Sequence, residues 1–293
     1  MKPPRFEYFA PETIDEALAL LAEHGDDAKI LAGGQSLVPL LNFRLARPAV
    51  LIDVNGLTPL SYIRAEDGVV AIGALTRQRE VERSAVARAR CPLVTDAVLH
   101  VGHAAIRNRG TVGGSLVHAD PAAELPSVLS ALGGSVVARS TRGERVLEAD
   151  ELFVTYLTTG VAADELVTEV RFPALPPGAG TAFLEVSRRH GDFALVAVAA
   201  AVALGDDGVC RGAWLALGGV GATPVAAGVD AASLIGERPD TQRIRDVARR
   251  VSERVDPDGD LHASREYRKH VAGVLVERAV AAAVANATRT GDA

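Results

Sequence analysis

Ile106-Arg107-Asn108-Arg109-Gly110-Thr111-Val112-Gly113-Gly114-Ser115, continued by Leu116-Val117-His118-Ala119-Asp120-Pro121-Ala122-Ala123-Glu124, is the stretch around which the rest of the chain is arranged. Three glycines within five positions, bracketed by Thr111 and Ser115, describe a loop whose bare backbone approaches a ligand closely. Such a loop aims several N–H groups at one anion, as a diphosphate requires. An earlier run, Leu31-Ala32-Gly33-Gly34-Gln35-Ser36-Leu37, repeats these ingredients after a short apolar segment. Two such loops far apart in the chain imply one extended ligand held from two sides. Taken singly, either glycine pair also reads as an ordinary turn.

Composition narrows the classes. A chain of 293 residues, 48% hydrophobic and 23% charged, buries a full core, and its length suits two domains. A net charge of −6 gives no electrostatic footing for nucleic acid or an anionic membrane. Met1 to Glu7 lacks the apolar core of a signal peptide, and no apolar run reaches the length of a membrane span, so a cytoplasmic protein is expected. Cys91 and Cys210 stand far apart in no metal-ligand spacing. This excludes an iron–sulfur cluster or a cysteine-based zinc site held by this chain alone.

In chain order, a strand at Glu7 to Phe9 precedes a helix introduced by Thr13 and Glu16 in capping-box spacing and ended by Gly25. Lys29 to Ala32 is a buried strand running into the first glycine loop, and Ala49 to Val54 is the next strand after a short helix, giving β-α-β. Ser61 to Ala65 and Val69 to Ile72 flank Glu66-Asp67-Gly68 as a hairpin. Helices follow at Thr76 to Val86, Pro92 to Val101 and Pro121 to Leu132, with strands at Ser135 to Ala138 and Leu166 to Phe172. Proline and glycine cluster between Pro173 and Gly180, a domain boundary. Beyond it, Thr181 to Arg188, Phe193 to Leu204 and Val209 to Leu217 form three strands of an antiparallel sheet, although the alanine-rich middle one leaves a helix open. Helices close the chain at Pro239 to Val255 and Ser264 to Asn286; in the last, Val271, Val274, Leu275 and Ala279 form a stripe that packs on its own sheet.

Three other patterns are decoys. Gly218-Gly219-Val220-Gly221 has a dinucleotide-binding look, yet Pro224 occupies the place of the last glycine and no helix start follows, so a hairpin turn is expected. Gly34-Gln35-Ser36-Leu37-Val38 fails the nucleophile-elbow pattern at Val38. His100 with His103, or His118 with Asp120, lacks a third ligand at a telling distance, and no metal site is expected. Arg107 and Arg109 either neutralise phosphate or lie solvated on the surface.

Together, Ala32-Gly33-Gly34-Gln35-Ser36, Thr111-Val112-Gly113-Gly114-Ser115, His118 to Glu124 and Gly191-Asp192-Phe193-Ala194 resemble the FAD-binding medium subunit of the molybdenum hydroxylases, the carbon monoxide dehydrogenase and xanthine dehydrogenase family. The resemblance extends to Asp260-Leu261-His262-Ala263-Ser264 and Tyr267-Arg268, covering nearly the whole chain. It implies an α+β fold. A two-subdomain FAD-binding domain of the vanillyl-alcohol oxidase / p-cresol methylhydroxylase type would span 1–175, with subdomains of about 1–56 and 57–175. A small C-terminal domain of the carbon monoxide dehydrogenase flavoprotein type would span 180–289, built from a three-stranded antiparallel sheet and helices.

By that resemblance the diphosphate contacts fall to Leu31, Ala32, Gly33, Gly34, Gln35, Ser36 and Leu37 and to Thr111, Gly113, Gly114 and Ser115. The glycines act through backbone approach, while Ser36, Thr111 and Ser115 add hydroxyls. Glu124 stands where a family carboxylate bonds the ribityl or nearby sugar hydroxyls, assisted by Asp120; Val167 falls near a position that packs on the adenine or ring system. Phe193 matches a side chain lying against the isoalloxazine, where many relatives carry Tyr; Phe keeps the stacking face without the hydroxyl.

The function implied is electron transfer: FAD takes electrons from the 2Fe–2S clusters of a small partner subunit, a large partner carries the molybdenum cofactor, and an external acceptor is reduced. No catalytic side chain is named, because the redox chemistry belongs to the cofactor. The alternative is a stand-alone FAD-dependent oxidoreductase of the vanillyl-alcohol oxidase type.

Overall fold

The structure, a computed structural model, describes residues 2–291. Its N-terminal layer is a parallel unit: Glu7–Phe9 (β1), Ala28–Leu31 (β2) and Val50–Asp53 (β3) lie in the order β1-β3-β2. Parallel strands need crossovers, which α1 (Ile14–His24) and α2 (Leu37–Asn42) supply. Thr13 caps α1 by accepting the Glu16 N–H, and Glu16 returns the bond to the Thr13 N–H, as the spacing predicts. Ala17, Leu18 and Leu21 on its inner face pack with Val50, Ile52 and Val54.

A second layer begins with the expected hairpin, Ile63–Glu66 (β4) and Val69–Gly73 (β5). Asp67 and Gly68 both take positive φ, which a two-residue turn of this hand demands. The single helix expected over 76–86 is instead two, α3 (Gln78–Arg83) and α4 (Ala85–Arg90). Ser84 leaves the helical backbone, and its Oγ accepts the Ala87 N–H at 3.1 Å, starting a new helix. Then come α5 (Pro92–Val98), α6 (Ala104–Arg107), α7 (Val112–His118) and α8 (Glu124–Leu132).

Ser135–Ser140 (β6) and Gly143–Glu148 (β7) precede α9 (Ala149–Leu152), a small ribbon of Phe153–Thr155 (β8) with Thr158–Thr159 (β9), and Leu166–Pro173 (β10). The resulting sheet is antiparallel in the order β4-β5-β10-β6-β7.

The C-terminal sheet runs Gly180–Ser187 (β11), Ala194–Leu204 (β12), Cys210–Gly218 (β13), Val225–Ala226 (β14). It has four strands where three were expected, because the Gly218-Gly219 turn leads into a two-residue return paired with β13. The alanine-rich β12 is a strand, and its two faces enter different cores. Ala197, Ala199, Ala201 and Ala203 pack in the core shared with α5 and α8, whereas Val196, Val198, Ala200 and Val202 face the other helices. Those helices are α10 (Gly228–Ala231), α11 (Thr241–Arg254) and α12 (Arg265–Gly291).

By length and composition, residues 265–287 of α12 are apolar enough to cross a membrane, contrary to the sequence reading that no run is. Its stripe residues Val271, Leu275 and Ala279 nevertheless lie in the core beneath the C-terminal sheet.

Candidate functional site

The two glycine segments meet. A Cβ built on Gly33 would stand 2.8 Å from the Gly110 Cα, with the Arg109 carbonyl oxygen nearer still, so only glycine allows the backbones to touch. Ala32 in turn lies beside Gly114, 3.9 Å from a Cβ placed there. Between β2 and α2 the chain changes hand: Gly34 has φ +71° and Ser36 is right-handed. Gly33, Gly34, Gln35 and Ser36 donate their N–H groups to nothing else among the described residues, while Gln35 Nε2 folds back on Gly33 O at 3.0 Å. Unpaired donors in succession, with a left-handed Gly34 two residues before a right-handed Ser36, are the ingredients of an anion nest.

The second segment departs from the expected loop. Gly113 and Gly114 lie in the first turn of α7, which Thr111 caps by accepting the Gly114 N–H at 3.1 Å. Gly113 N–H goes to Ala74 O at 2.9 Å and Ser115 N–H to Thr111 O at 3.1 Å. These donors are therefore already paired within the chain. Gly113 is glycine because a Cβ would meet that of Ala74 at 2.6 Å. The solvent-facing part of the turn is Gly114, exposed, with Ser115 half-buried.

Of the two arginines weighed beside this segment, Arg107 is buried. Its Nε bonds Glu82 at 2.9 Å and its Nη1 the carbonyls of Val101 and Gly102, so it shapes the approach to the segment from inside the protein. Arg109 is exposed at the meeting point of the segments. The sequence reading passed over Asn55 and Arg77, whose side chains bond the backbone of both segments. A turn-forming Asn just after a strand was the available signal for the first.

After α7 the chain reverses at Ala119, left-handed at φ 51°, and Asp120 closes the turn by accepting the Ala122 N–H at 2.9 Å. Glu124, the first residue of α8, is 7% exposed. Burial first, then the neighbouring carboxylates Glu185 and Asp120, push its acid up to about 8, which favours the protonated carboxyl, a group able to donate as well as accept, at neutral pH. His100 Nδ1 stands 3.5 Å from Glu185 Oε1, and that carboxylate raises the imidazole above its ordinary range.

Val167 is buried at a bulge of β10. The next residue, Thr168, accepts the Ala74 N–H through its carbonyl, and Ala74 O in turn accepts the Gly113 N–H, so one residue links this part of β10 to α7. Phe193 is 64% exposed at the entry to β12. Its loop rests on α6's approach, since a Cβ on Gly191 would enter the His103 ring at 2.6 Å. Buried Arg268 fixes the strand just behind: Nη1 donates to Leu195 O at 2.5 Å and Gly219 O at 3.1 Å, and Nη2 to Asp260 at 2.8 Å. The Ala263 and His262 N–H groups, with Arg268, hold the Asp260 carboxyl down to about 2. Gly219 N–H reaches Pro121 O at 2.8 Å, tying this corner to the Asp120 turn.

A hollow over α1, lined by Phe9, Glu16, Leu20 and Glu23 among others, includes none of these residues.

Residues 4–175 match the family described as the FAD binding domain in molybdopterin dehydrogenase, and residues 181–283 the CO dehydrogenase flavoprotein C-terminal domain. The chain is 44% identical to the 6-hydroxypseudooxynicotine dehydrogenase complex subunit alpha of Paenarthrobacter nicotinovorans, over 99% of this chain and 98% of that protein. It is 42% identical to the caffeine dehydrogenase subunit beta of Pseudomonas sp. (strain CBB1), over 97% and 96%. Its fold superposes with TM-score 0.94 at 35% identity on carbon monoxide dehydrogenase from Hydrogenophaga pseudoflava lacking the Mo-pyranopterin moiety of its cofactor, covering 98% of this chain and 99% of that one. A mixed fold of FAD-binding and C-terminal parts, matched over almost its full length, makes this chain a member of the family of FAD-binding medium subunits of molybdenum hydroxylases.

Proposed function

We propose that the chain is the electron-transfer subunit of a cytoplasmic molybdenum hydroxylase complex, taking electrons from 2Fe–2S clusters in a small partner and passing them to an external acceptor. A large partner holding the molybdenum cofactor would oxidise the substrate. The reading divides the chain into an FAD-binding domain, 1–175, and a C-terminal domain, 180–289. Bound FAD supplies reversible redox chemistry that no side chain here offers.

The observation that carries this reading is the nest. Four successive N–H groups without an acceptor among the described residues, pressed against a second glycine segment, suit a diphosphate. In this reading Leu31 to Leu37 cradle the phosphates by backbone, and Thr111, Gly113, Gly114 and Ser115 contribute a close flat wall with one accessible hydroxyl. Protonated Glu124, with Asp120, receives sugar hydroxyls; Val167 packs behind the site; Phe193 offers its exposed ring to the isoalloxazine.

The test is direct. The full chain expressed alone takes up FAD and oxidises no substrate, whereas the chain isolated with its natural partners carries molybdenum and iron. A colourless protein that leaves FAD fluorescence unquenched refutes the cofactor assignment, and substrate turnover by the isolated chain refutes the division of labour.

A further inference from the structure

Two side chains outside the glycine segments hold both of them at once. Asn55 Nδ2 donates to Ala32 O at 2.7 Å. The amide is oriented by Asp53, whose Oδ1 accepts the Asn55 N–H at 2.9 Å and Nδ2 at 2.6 Å; its Oδ2 accepts the Tyr8 hydroxyl at 2.7 Å. Asn55 Oδ1 accepts Arg77 Nη2 at 2.7 Å, and Arg77 Nη1 donates to Arg109 O at 2.6 Å. One carboxamide and one guanidinium thus join the carbonyl of Ala32 to that of Arg109 across the point where Gly33 meets Gly110.

This bracket sets directions as well as spacing. In a trans peptide the C=O and the following N–H point opposite ways, so tying Ala32 O to Asn55 turns the Gly33 N–H, the first donor of the nest, to the other side. The same bond removes a partial negative charge from the face an anion approaches. Arg77 is half-buried and lies near enough to Arg109 for the two cations to repel, with Asp53 and Glu80 as the acids that offset them. An anion at the nest relieves that repulsion.

We propose that Asn55 and Arg77 are positioning residues for the diphosphate site, acting through the backbone of the two segments. The proposal rests on the reading of those segments as the FAD site. Neither residue contributes a donor to the nest; the pair decides whether the nest's donors converge.

ADP serves as a probe of the diphosphate half, and the visible absorption of FAD bound at saturation reports the ring half. In the full chain, Asn55→Ala and Arg77→Gln should each weaken ADP by about tenfold or more, the equivalent of one lost charge-assisted bond. The flavin spectrum should be unchanged. Arg77→Lys keeps the charge but spans only one of the two acceptors and should recover ADP affinity only in part. Asn55→Asp keeps an acceptor for Arg77 but cannot donate to Ala32, and should behave like Asn55→Ala. ADP binding within twofold of the parent in these variants overturns the proposal, as does a parallel change in ADP affinity and flavin spectrum, the mark of general loosening. Failure of the parent chain to bind ADP or FAD overturns the site reading, and the bracket with it.

Discussion

Gly33→Ala isolates the contact on which the site depends. The position is not left-handed, so alanine carries no backbone strain there, and the whole effect comes from the methyl group. That methyl would stand 2.8 Å from the Gly110 Cα and 3.0 Å from the Arg109 carbonyl carbon, where ordinary contact begins at 3.4 Å. The opposing atoms are backbone and have no rotamer to yield. The second segment must retreat by more than half an ångström, carrying Gly114 and Ser115 away from the nest. Overpacking of this kind costs about 1–3 kcal/mol, which at 1.4 kcal/mol per decade means roughly 5- to 150-fold in FAD affinity if the cost falls on the site. The assay is fluorescence titration of FAD into the refolded or FAD-stripped chain, with Gly228→Ala as control. Gly228 has open space around it and no positive φ, so its alanine should leave affinity unchanged. Parent-like FAD affinity in Gly33→Ala would refute the reasoning, because the clash would then be absorbed without moving the site.

Glu124→Gln tests the buried acid. A carboxyl raised to about 8 stays protonated in the fold while the unfolded chain ionises near pH 4.3, so stability falls as pH rises through that window and is level above it. The variant should melt with the parent near pH 4 and above it at pH 9 when the FAD-free proteins are followed by circular dichroism; a difference that does not vary with pH contradicts the assignment. Arg268→Met strands the Leu195 and Gly219 carbonyls together with Asp260 and should cost about 2–4 kcal/mol in urea unfolding. A loss below half that range means those groups find other partners. Phe193→Ala, at a site largely open to solvent, should change stability by less than about 0.5 kcal/mol yet shift the absorption of bound flavin; an unaltered spectrum argues against stacking.

Local signals carried the sequence reading a long way and stopped at contacts between distant residues. Thr13 and Glu16 announced α1, Asp67-Gly68 announced a hairpin, and the proline cluster at 173–177 marked a change of sheet. β7 escaped because Gly143-Glu144-Arg145-Val146-Leu147-Glu148 buries Leu147 alone, leaving no apolar alternation to read. Gly113 and Gly114 suggested a loop because glycine disfavours helices, but Thr111 caps the turn and Ala74 requires a residue without Cβ. Arg107 looked like a surface or phosphate-binding cation, since nothing local reveals Glu82 across the fold. Asn55 and Arg77 belong to no motif and act only where the two segments converge.

The strand β12 has one further consequence. Its alternate residues serve two cores, alanines on the side of α5 and α8 and mainly valines on the side of α11 and α12. It is a party wall, and neither room stands without it. A fragment ending in the proline-rich stretch would lose the alanine surface that seals α8, and a fragment beginning there would bare that surface to water. The two halves are thus built to stay together, each closing the other's core through one shared strand.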